Sequence, residues 1–321
     1  MQGLQRLGLR VGLIVGAALG GRIRDQERVM DPVMAALVRS VRRMPPSRPN
    51  LPALRLQYDA GLRLMAMPSD PRPRVTEITG HGLSGRLYEP PGTGHPGLLY
   101  FHGGGFMMGS LASRDAFCRL LAMSGMRVLS VTYRLAPEHP FPAAHDDART
   151  ALLWAREVLG GRFAVGGDSA GANLAASLAH EPGVTLQVLL IPVVDMVDEP
   201  GRYPSLQRFA TGYLLTADAL RECASLLMPP GTDPADPRLS PIRSPVEGAA
   251  PALICVAGFD PLYDQGVAYA AALRAAGVPV VLMEESGMIH GFPDFAGLVP
   301  SARRAVDRVV AAIAVAMTEH C

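Results

Sequence analysis

Short, nearly continuous apolar segments alternate with helical segments from residue 75 onward, and this alternation constrains the fold more than any other feature. Apolar runs without a polar face are typical of strands covered on both sides. Strands separated by helices predict a mostly parallel sheet with helices on both faces, the α/β class. The predicted strands are Val75–Ile78, Leu83–Tyr88, Gly97–Phe101, Arg127–Tyr133, Phe163–Val165, Leu186–Val193, Leu253–Ala257 and Val278–Met283, and the predicted helices among them are Ala112–Ser124, Ala143–Val158, Ala170–Leu178 and Gly266–Ala276.

One stretch interrupts the alternation and predicts a separate cap. Residues 196–250 lie between two strands and contain several prolines and a helical piece, Ala217–Leu227. A bare loop of that length is improbable in a compact domain, so an inserted cap is the better interpretation. Near the N-terminus, apolar residues four apart predict a helix over Asp31–Arg43, and the chain is then interrupted by Pro45, Pro46, Pro49 and Pro52.

The first 29 residues differ from the rest of the chain. A ten-residue apolar run, Val11–Gly20, follows two arginines. Ten residues are too few to span a membrane, which needs about 20, but they could form the apolar centre of a signal peptide. The alternatives are a peripheral helix or an extension upstream of a natural start at Met30. We expect a cytoplasmic protein, exported only if residues 1–20 act as a signal peptide.

Charge and cysteine usage exclude several functional classes. Thirty basic residues, all of them arginine, offset 29 acidic ones, and no block of like charge exceeds three residues. A nucleic-acid groove or a polybasic membrane face needs clustered positive charge, so neither is expected. Without lysine, a Schiff-base or phosphate-loop lysine is excluded. The four cysteines form no CxxC pattern, which argues against zinc-ribbon and thioredoxin-type sites and suits a reducing compartment.

The strongest chemical signal is a serine at a predicted strand-to-helix turn, in the sequence GDSAG at residues 167–171. A serine on such a turn projects its hydroxyl into solvent, and the flanking glycines let chain segments pack closely. The N-terminus of the helix that opens at Ala170 adds a partial positive charge and free N–H groups that suit a developing oxyanion. We therefore expect Ser169 to be a nucleophile.

A glycine loop, His102–Gly105, follows the strand that ends at Phe101. Three consecutive glycines can turn their N–H groups inward around an anion, as the loop of an oxyanion hole does. The alternative, a phosphate-binding loop, would need GxGxxG spacing and a basic partner, and both are missing here. We expect His102 to hold the shape of this loop.

A general base and its carboxylate partner are expected after the later strands. His290 follows the last predicted strand, and loops at the carboxyl edge of such a sheet gather catalytic residues. The chain order nucleophile, acid, base leaves two acids at strand ends, Asp195 and Asp260. Asp260 is favoured because it lies next in sequence to the histidine-bearing strand, Asp195 remains the alternative, and Asp264 is expected to be structural.

Two further groups of residues have open interpretations. His139, His145, Asp146 and Asp147 could be imagined as a metal cluster, but their spacing matches no common metal site, so we expect no metal. A second group of apolar residues could line an acyl pocket or simply belong to the core. These residues are Phe106, Met107 and Met108 after the glycine loop, and Phe209, Tyr213 and Leu214 in the inserted segment.

Five motifs in one order resemble the hormone-sensitive-lipase-like carboxylesterases of the α/β-hydrolase superfamily, over roughly residues 31–315. The resemblance implies an α/β-hydrolase fold with about eight central strands and a cap made of N-terminal helices and the insertion. It implies Ser169, Asp260 and His290 as nucleophile, acid and base, and oxyanion donors at the backbone N–H groups of Gly104, Gly105 and Ala170. The motifs are His102–Gly105, Tyr133–Ala144 (a shaping loop in the family), Gly167–Gly171, Asp260–Leu262 and His290–Phe292.

The implied organisation has four parts. They are an N-terminal extension of uncertain role (1–29), N-terminal cap helices (30–60), an α/β-hydrolase core (61–195 and 251–321) and the inserted cap segment (196–250).

The implied activity is hydrolysis of small-molecule esters with short to medium acyl chains through an acyl-enzyme, without a metal or organic cofactor. The same triad also serves amidases, peptidases and acyltransferases, which therefore remain alternatives. The plant gibberellin receptor resembles the same family but has lost the base, so a purely ligand-binding role is disfavoured by the presence of His290. We expect no nucleic-acid partner and no stable membrane insertion, and a homodimer is the one protein assembly considered.

Overall fold

The computed structural model describes residues 2–43 and 50–321, with side chains from residue 5 onward. Its strands are β1 (Arg24–Asp25), β2 (Arg28–Val29), β3 (Arg74–Gly80), β4 (Leu83–Glu89), β5 (Gly97–Phe101), β6 (Arg127–Val131), β7 (Phe163–Asp168), β8 (Val184–Leu190), β9 (Ala252–Phe259) and β10 (Val280–Ile289). Its helices are α1 (Gln2–Leu19), α2 (Pro32–Arg42), α3 (Leu51–Met65), α4 (Asp115–Met123), α5 (Ala143–Leu159), α6 (Ala170–Ser177), α7 (Pro204–Arg208), α8 (Ala217–Leu227), α9 (Tyr263–Ala275) and α10 (Pro300–His320), with 3₁₀ turns at Leu111–Arg114, Pro241–Arg243 and Phe292–Phe295.

One eight-stranded sheet carries the core, in the order β10-β9-β8-β7-β5-β6-β4-β3. Strands β5 to β10 pair in parallel, whereas β3 and β4 form the predicted antiparallel hairpin at one edge. The mostly parallel sheet of eight strands predicted from the sequence is therefore confirmed. Because the parallel strands point the same way, their carboxyl ends meet at one edge of the sheet, where the following loops converge.

Helices cover both faces of this sheet, as the continuous apolar strands predict. All five residues of β5 are buried, and they alternate between two cores. Leu98 and Tyr100 join the cluster beneath α2, α4 and α10, whereas Leu99 and Phe101 join the one beneath α5, α6 and α9. This alternation follows from the two-residue repeat of a strand.

The N-terminal residues form a helix that packs on the next one. The apolar run Val11–Gly20 falls within and just beyond α1, where Leu13 is buried and a Cβ on Gly16 would lie 3.4 Å from Ala36. This arrangement corresponds to the peripheral-helix alternative of the sequence analysis. Across residues 2–43 and 50–321, we find no helix with the length and apolar character that a bilayer crossing requires.

Several predicted boundaries were wrong for identifiable reasons. Pro52 does not break the chain, because it lies in the first turn of α3, where no intrahelical N–H bond is needed. The strand predicted to reach Val193 ends at Leu190, since Ile191 adopts a φ of 43° that a strand cannot contain. Pro45, Pro46 and Pro49 lie outside the described residues.

Candidate active site

Ser169 occupies a sharp turn between β7 and α6. Its backbone has φ 54° and ψ −116°, a conformation that residues with side chains rarely adopt and that is often retained at functional sites. Gly171 makes the turn possible, because a Cβ at this position would lie 2.1 Å from the Phe101 carbonyl oxygen. The tight passage of α6 over the end of β5 leaves the Ser169 side chain partly accessible.

His290 and Asp260 follow adjacent parallel strands, so both reach the sheet edge at which Ser169 lies. Ser169 Oγ is 3.0 Å from His290 Nε2, and His290 Nδ1 is 2.7 Å from Asp260 Oδ2. The Asp260 carboxylate is almost fully buried, and its other oxygen accepts the Leu262 N–H at 2.8 Å. A carboxylate held in this way favours the imidazole tautomer with Nδ1 protonated, which leaves Nε2 free to accept the serine proton.

Asp195, the alternative acid, does not reach His290. Its carboxylate accepts hydrogen bonds from Arg243 Nε at 2.8 Å and from the Tyr203 hydroxyl at 2.8 Å. Both partners belong to the inserted segment, so Asp195 fastens that segment to the core. Asp264 has a similar role, because its carboxylate accepts the Ser205 N–H at the start of α7 at 2.6 Å.

The glycine loop lies directly against the turn that carries Ser169, since the Gly103 N–H donates to Asp168 Oδ1 at 3.1 Å. Gly104 and Gly105 both have positive φ, 129° and 62°. Ala170 is the first residue of α6, so its N–H has no acceptor within that helix. The three predicted oxyanion donors therefore belong to two segments that are held together beside Ser169.

His102 fixes the shape of this loop. Its Nδ1–H donates to the Gly103 carbonyl at 2.9 Å, and its ring stacks on Tyr133 with 4.4 Å between centroids. The Tyr133 hydroxyl in turn donates to the His102 carbonyl at 2.7 Å. Burial lowers the pKa of His102 to about 4, so the ring is neutral near pH 7 and acts through these contacts.

Cys223 on α8 lies next to the glycine loop, and the sequence did not predict this position for it. A Cβ added to Gly105 would lie 2.6 Å from Cys223 Sγ, so the cap helix touches the loop at this point. Burial raises the pKa of Cys223 to about 11, so the thiol is protonated near pH 7 and serves as a small apolar contact. A single cysteine in a helical segment gives no sequence signal for such a place.

The six predicted pocket residues divide by accessibility. Phe106, Met107 and Phe209 are almost fully buried, and Phe209 packs against Phe259 with 5.7 Å between ring centroids. Phe106 and Phe209 belong to the two hydrophobic cores, which fits the simpler of the two interpretations. Accessible surface that could face a substrate remains on Met108, Tyr213 and Leu214.

The imagined metal cluster has other partners. His145 is buried, with Nε2 3.0 Å from Asn173 Oδ1, and Asp147 pairs with Arg134 at 2.8 Å. Asp146 lies 3.9 Å from Arg238. Within the described ranges, no three His, Cys, Asp or Glu side chains are grouped as a metal site would require.

Comparisons with known proteins agree with this geometry. A family model described as an alpha/beta hydrolase fold matches residues 98–294. Carboxylic ester hydrolase LipN of Mycobacterium tuberculosis is 45% identical over 243 residues, which is 68% of this chain and 64% of LipN, so the chain spans slightly less than two thirds of that relative. Ethyl acetate hydrolase of Pseudomonas putida is 39% identical over 283 residues, 81% of this chain and 88% of that protein.

Solved structures extend the comparison to the whole fold. A hyperthermophilic esterase from the archaeon Pyrobaculum calidifontis superposes with a TM-score of 0.81 at 35% identity, over 89% of this chain and 98% of that one. The thermostable carboxylesterase EstE1, cloned from a metagenomic library, superposes with a TM-score of 0.77 at 35% identity, over 84% of this chain and 98% of that one. As its motifs predict, the chain belongs to the hormone-sensitive-lipase-like carboxylesterases of the α/β-hydrolase superfamily.

Proposed function

We propose that this esterase hydrolyses carboxylic esters with short to medium acyl chains, with Ser169 as nucleophile, His290 as base and Asp260 as its carboxylate partner. The observation that carries the proposal is the unbroken hydrogen-bonded chain from Ser169 Oγ through His290 to Asp260, with steps of 3.0 and 2.7 Å. Relatives named as ester hydrolases, one of them for ethyl acetate, support the substrate class.

Acylation begins when Ser169 Oγ attacks the ester carbonyl carbon while His290 Nε2 takes the hydroxyl proton. The carbonyl oxygen becomes an oxyanion, which the N–H groups of Gly104, Gly105 and Ala170 stabilise. Loss of one such donor typically costs about 3–4 kcal/mol of transition-state stabilisation. Asp260 stabilises the imidazolium, which then protonates the departing alcohol and leaves the acyl group on Ser169.

Deacylation repeats these steps with water in place of the serine hydroxyl. His290 takes a proton from water, the hydroxide attacks the acyl carbon, and the same N–H groups hold the second oxyanion. Collapse of this intermediate releases the carboxylic acid and returns the proton to Ser169.

The preference for short chains follows from the cap. The inserted segment supplies two short helices, α7 and α8, and α8 reaches the oxyanion loop through Cys223. A cap helix this close to the glycine loop limits the room for the acyl group, so we expect a small one, with Met108, Tyr213 and Leu214 as the proposed contacts.

A panel of p-nitrophenyl esters from acetate to palmitate tests this preference. We expect the highest kcat/KM for acetate to hexanoate, and no turnover above background for Ser169→Ala. Highest activity on palmitate or on emulsified long-chain triglyceride would contradict the short-chain proposal.

We infer further that the protein acts in the cytoplasm. All four cysteines are free, and Cys118 and Cys255 are buried in the core, as expected for a chain that folds under reducing conditions. The intact mass of the protein recovered from the producing cells tests this, with the full N-terminus in the cytosolic fraction as the expected result. Recovery from the medium of a form cleaved near residue 20 would contradict it.

A further inference from the structure

A buried arginine lies behind the nucleophile turn. Arg114 ends a 3₁₀ turn that precedes α4, and its side chain is only 6% exposed. Nε and Nη2 donate to the two oxygens of Asp168 at 2.9 and 2.6 Å, and Nη1 donates to Asp294 Oδ1 at 2.8 Å. A buried charge is costly unless its hydrogen-bonding groups are satisfied, and here two carboxylates satisfy the guanidinium fork.

The first carboxylate links two parts of the active site. Asp168 immediately precedes Ser169, and its Oδ1 also accepts the Gly103 N–H at 3.1 Å and the Tyr100 hydroxyl at 2.9 Å. Gly103 adjoins the two glycines proposed as oxyanion donors. Asp168 therefore connects the turn at Ser169 to the glycine loop, and Arg114 donates hydrogen bonds to both of its carboxylate oxygens.

The second carboxylate belongs to the turn that carries the base. Asp294 lies four residues after His290, in the 3₁₀ turn Phe292–Phe295, and its N–H donates to the Gly291 carbonyl at 2.9 Å. Through Asp294, Arg114 therefore reaches the segment that sets the position of the imidazole.

We propose that Arg114 is a positioning residue for ester hydrolysis, tying the nucleophile turn and oxyanion loop, through Asp168, to the histidine-bearing turn, through Asp294. The inference rests on the proposed function of the triad and adds a residue that touches none of the reacting atoms. A misplacement of about 1 Å between reacting groups can cost about a hundredfold in rate, so loss of the Arg114 contacts should lower kcat measurably.

The charges of the cluster formed by Arg114, Asp168 and Asp294 support a functional role for it. One guanidinium faces two carboxylates. The titratable groups around them include the Tyr58 hydroxyl, 3.5 Å from Arg114 Nη2, the Tyr100 hydroxyl on Asp168, His102 and His290. Burial would raise the pKa of Asp168, but Arg114 together with the Tyr100 hydroxyl and His102 holds that pKa low. For Asp294, burial dominates and raises the pKa to about 6, so keeping it ionised near pH 7 costs folding stability.

The test compares Arg114→Gln with Arg119→Gln, a matched control on α4 whose arginine pairs with Asp115 at 2.8 Å away from the catalytic groups. For p-nitrophenyl acetate we expect Arg114→Gln to lower kcat by about tenfold or more with KM changed less than about threefold. Arg114→Lys should restore part of kcat, because it keeps the charge but not the two-pronged contact. The control should keep wild-type kcat. A folded Arg114→Gln variant with wild-type kcat would overturn the proposal.

Asp294→Asn gives a second test if Arg114→Gln fails to fold. It removes the charge that Arg114 grips and leaves the shape of the side chain. We expect kcat to fall while the melting temperature at pH 8 stays the same or rises, because the buried charge is gone. Unchanged kcat, or a fall matched by loss of folded protein, would contradict a positioning role.

Failure of the proposed function is distinguishable from failure of this inference. If wild-type protein hydrolyses no ester and a fluorophosphonate does not label Ser169, the triad proposal fails first. If wild type is active and labelled, the variants decide the role of Arg114 alone.

Discussion

At the residue scale, the proposed site depends on three side chains and on backbone positions that few residues tolerate. The motif around Ser169, the glycine loop and His290 could be predicted from the sequence, because each places a distinctive residue pattern at the end of a strand. The choice between Asp195 and Asp260 could not be made firmly, since both follow predicted strands in the expected chain order. Geometry separates them, because the Asp195 carboxylate is occupied by Arg243 and Tyr203.

This difference predicts opposite phenotypes for two matched substitutions. Asp260→Asn should lower kcat by about 10⁴, because an amide cannot fix the required tautomer or stabilise the imidazolium. Asp195→Asn should lower the melting temperature, since it weakens the buried pair with Arg243, but leave kcat per folded molecule nearly intact. Steady-state kinetics with active-site titration and thermal unfolding of both variants measure this. The reverse pattern in kcat would assign the acid role to Asp195.

At the scale of elements, the contact between α8 and the oxyanion loop was the feature least accessible from sequence. The helix Ala217–Leu227 itself is confirmed to the residue, because Thr216 caps it and the apolar spacing is regular. Which loop that helix touches depends on the path of the whole insertion. The start of α3 is a different case, because Pro52 predicts a break but lies in the first turn of that helix.

Because α8 touches the glycine loop, substitutions at Gly105 and Cys223 should have coupled effects on kcat. Gly105→Ala should lower kcat by tenfold or more, because φ of 62° disfavours alanine and its methyl group would meet Cys223 Sγ. Cys223→Ala alone should leave acetate hydrolysis near wild type and improve relative activity on longer acyl chains. The double variant should recover part of the activity lost in Gly105→Ala, and a double-mutant cycle on kcat measures the coupling. Simple additivity would show that the thiol does not constrain the loop.

At the scale of the whole molecule, the topology explains how residues far apart in sequence meet. Ser169, Asp260 and His290 follow β7, β9 and β10, whose parallel pairing brings their carboxyl ends to one edge. The alternation of strands and helices predicted this class of fold, because the spacing of apolar residues within each segment can be seen in the local sequence. Strand order and the buried Arg114 cluster depend on long-range packing, so local sequence patterns carry no direct signal for them. The terminal helix α10 does carry one, because its buried residues recur at helical spacing.

The carboxyl group of Asp294, beside Arg114, predicts how the free energy of unfolding depends on pH. The pKa of Asp294 is raised to about 6 by burial, so between its ordinary range and pH 6 the native state binds this proton more tightly than the unfolded chain does. The contribution of Asp294 to the free energy of unfolding therefore falls as pH rises through that window, by on the order of 3 kcal/mol. Denaturant unfolding from pH 4 to 8 should show Asp294→Asn gaining stability relative to wild type as pH rises. A constant difference would contradict the raised pKa.

The most direct test of the central claim is the labelling stoichiometry and site of a fluorophosphonate on the intact chain, read by mass spectrometry alongside ester hydrolysis. We expect one label per chain on the peptide that contains Ser169, with hydrolysis lost in proportion to labelling. Ser169→Ala should take up no label, and His290→Ala should label far more slowly. A label on another residue, or full hydrolysis by Ser169→Ala, would contradict the assignment of this triad.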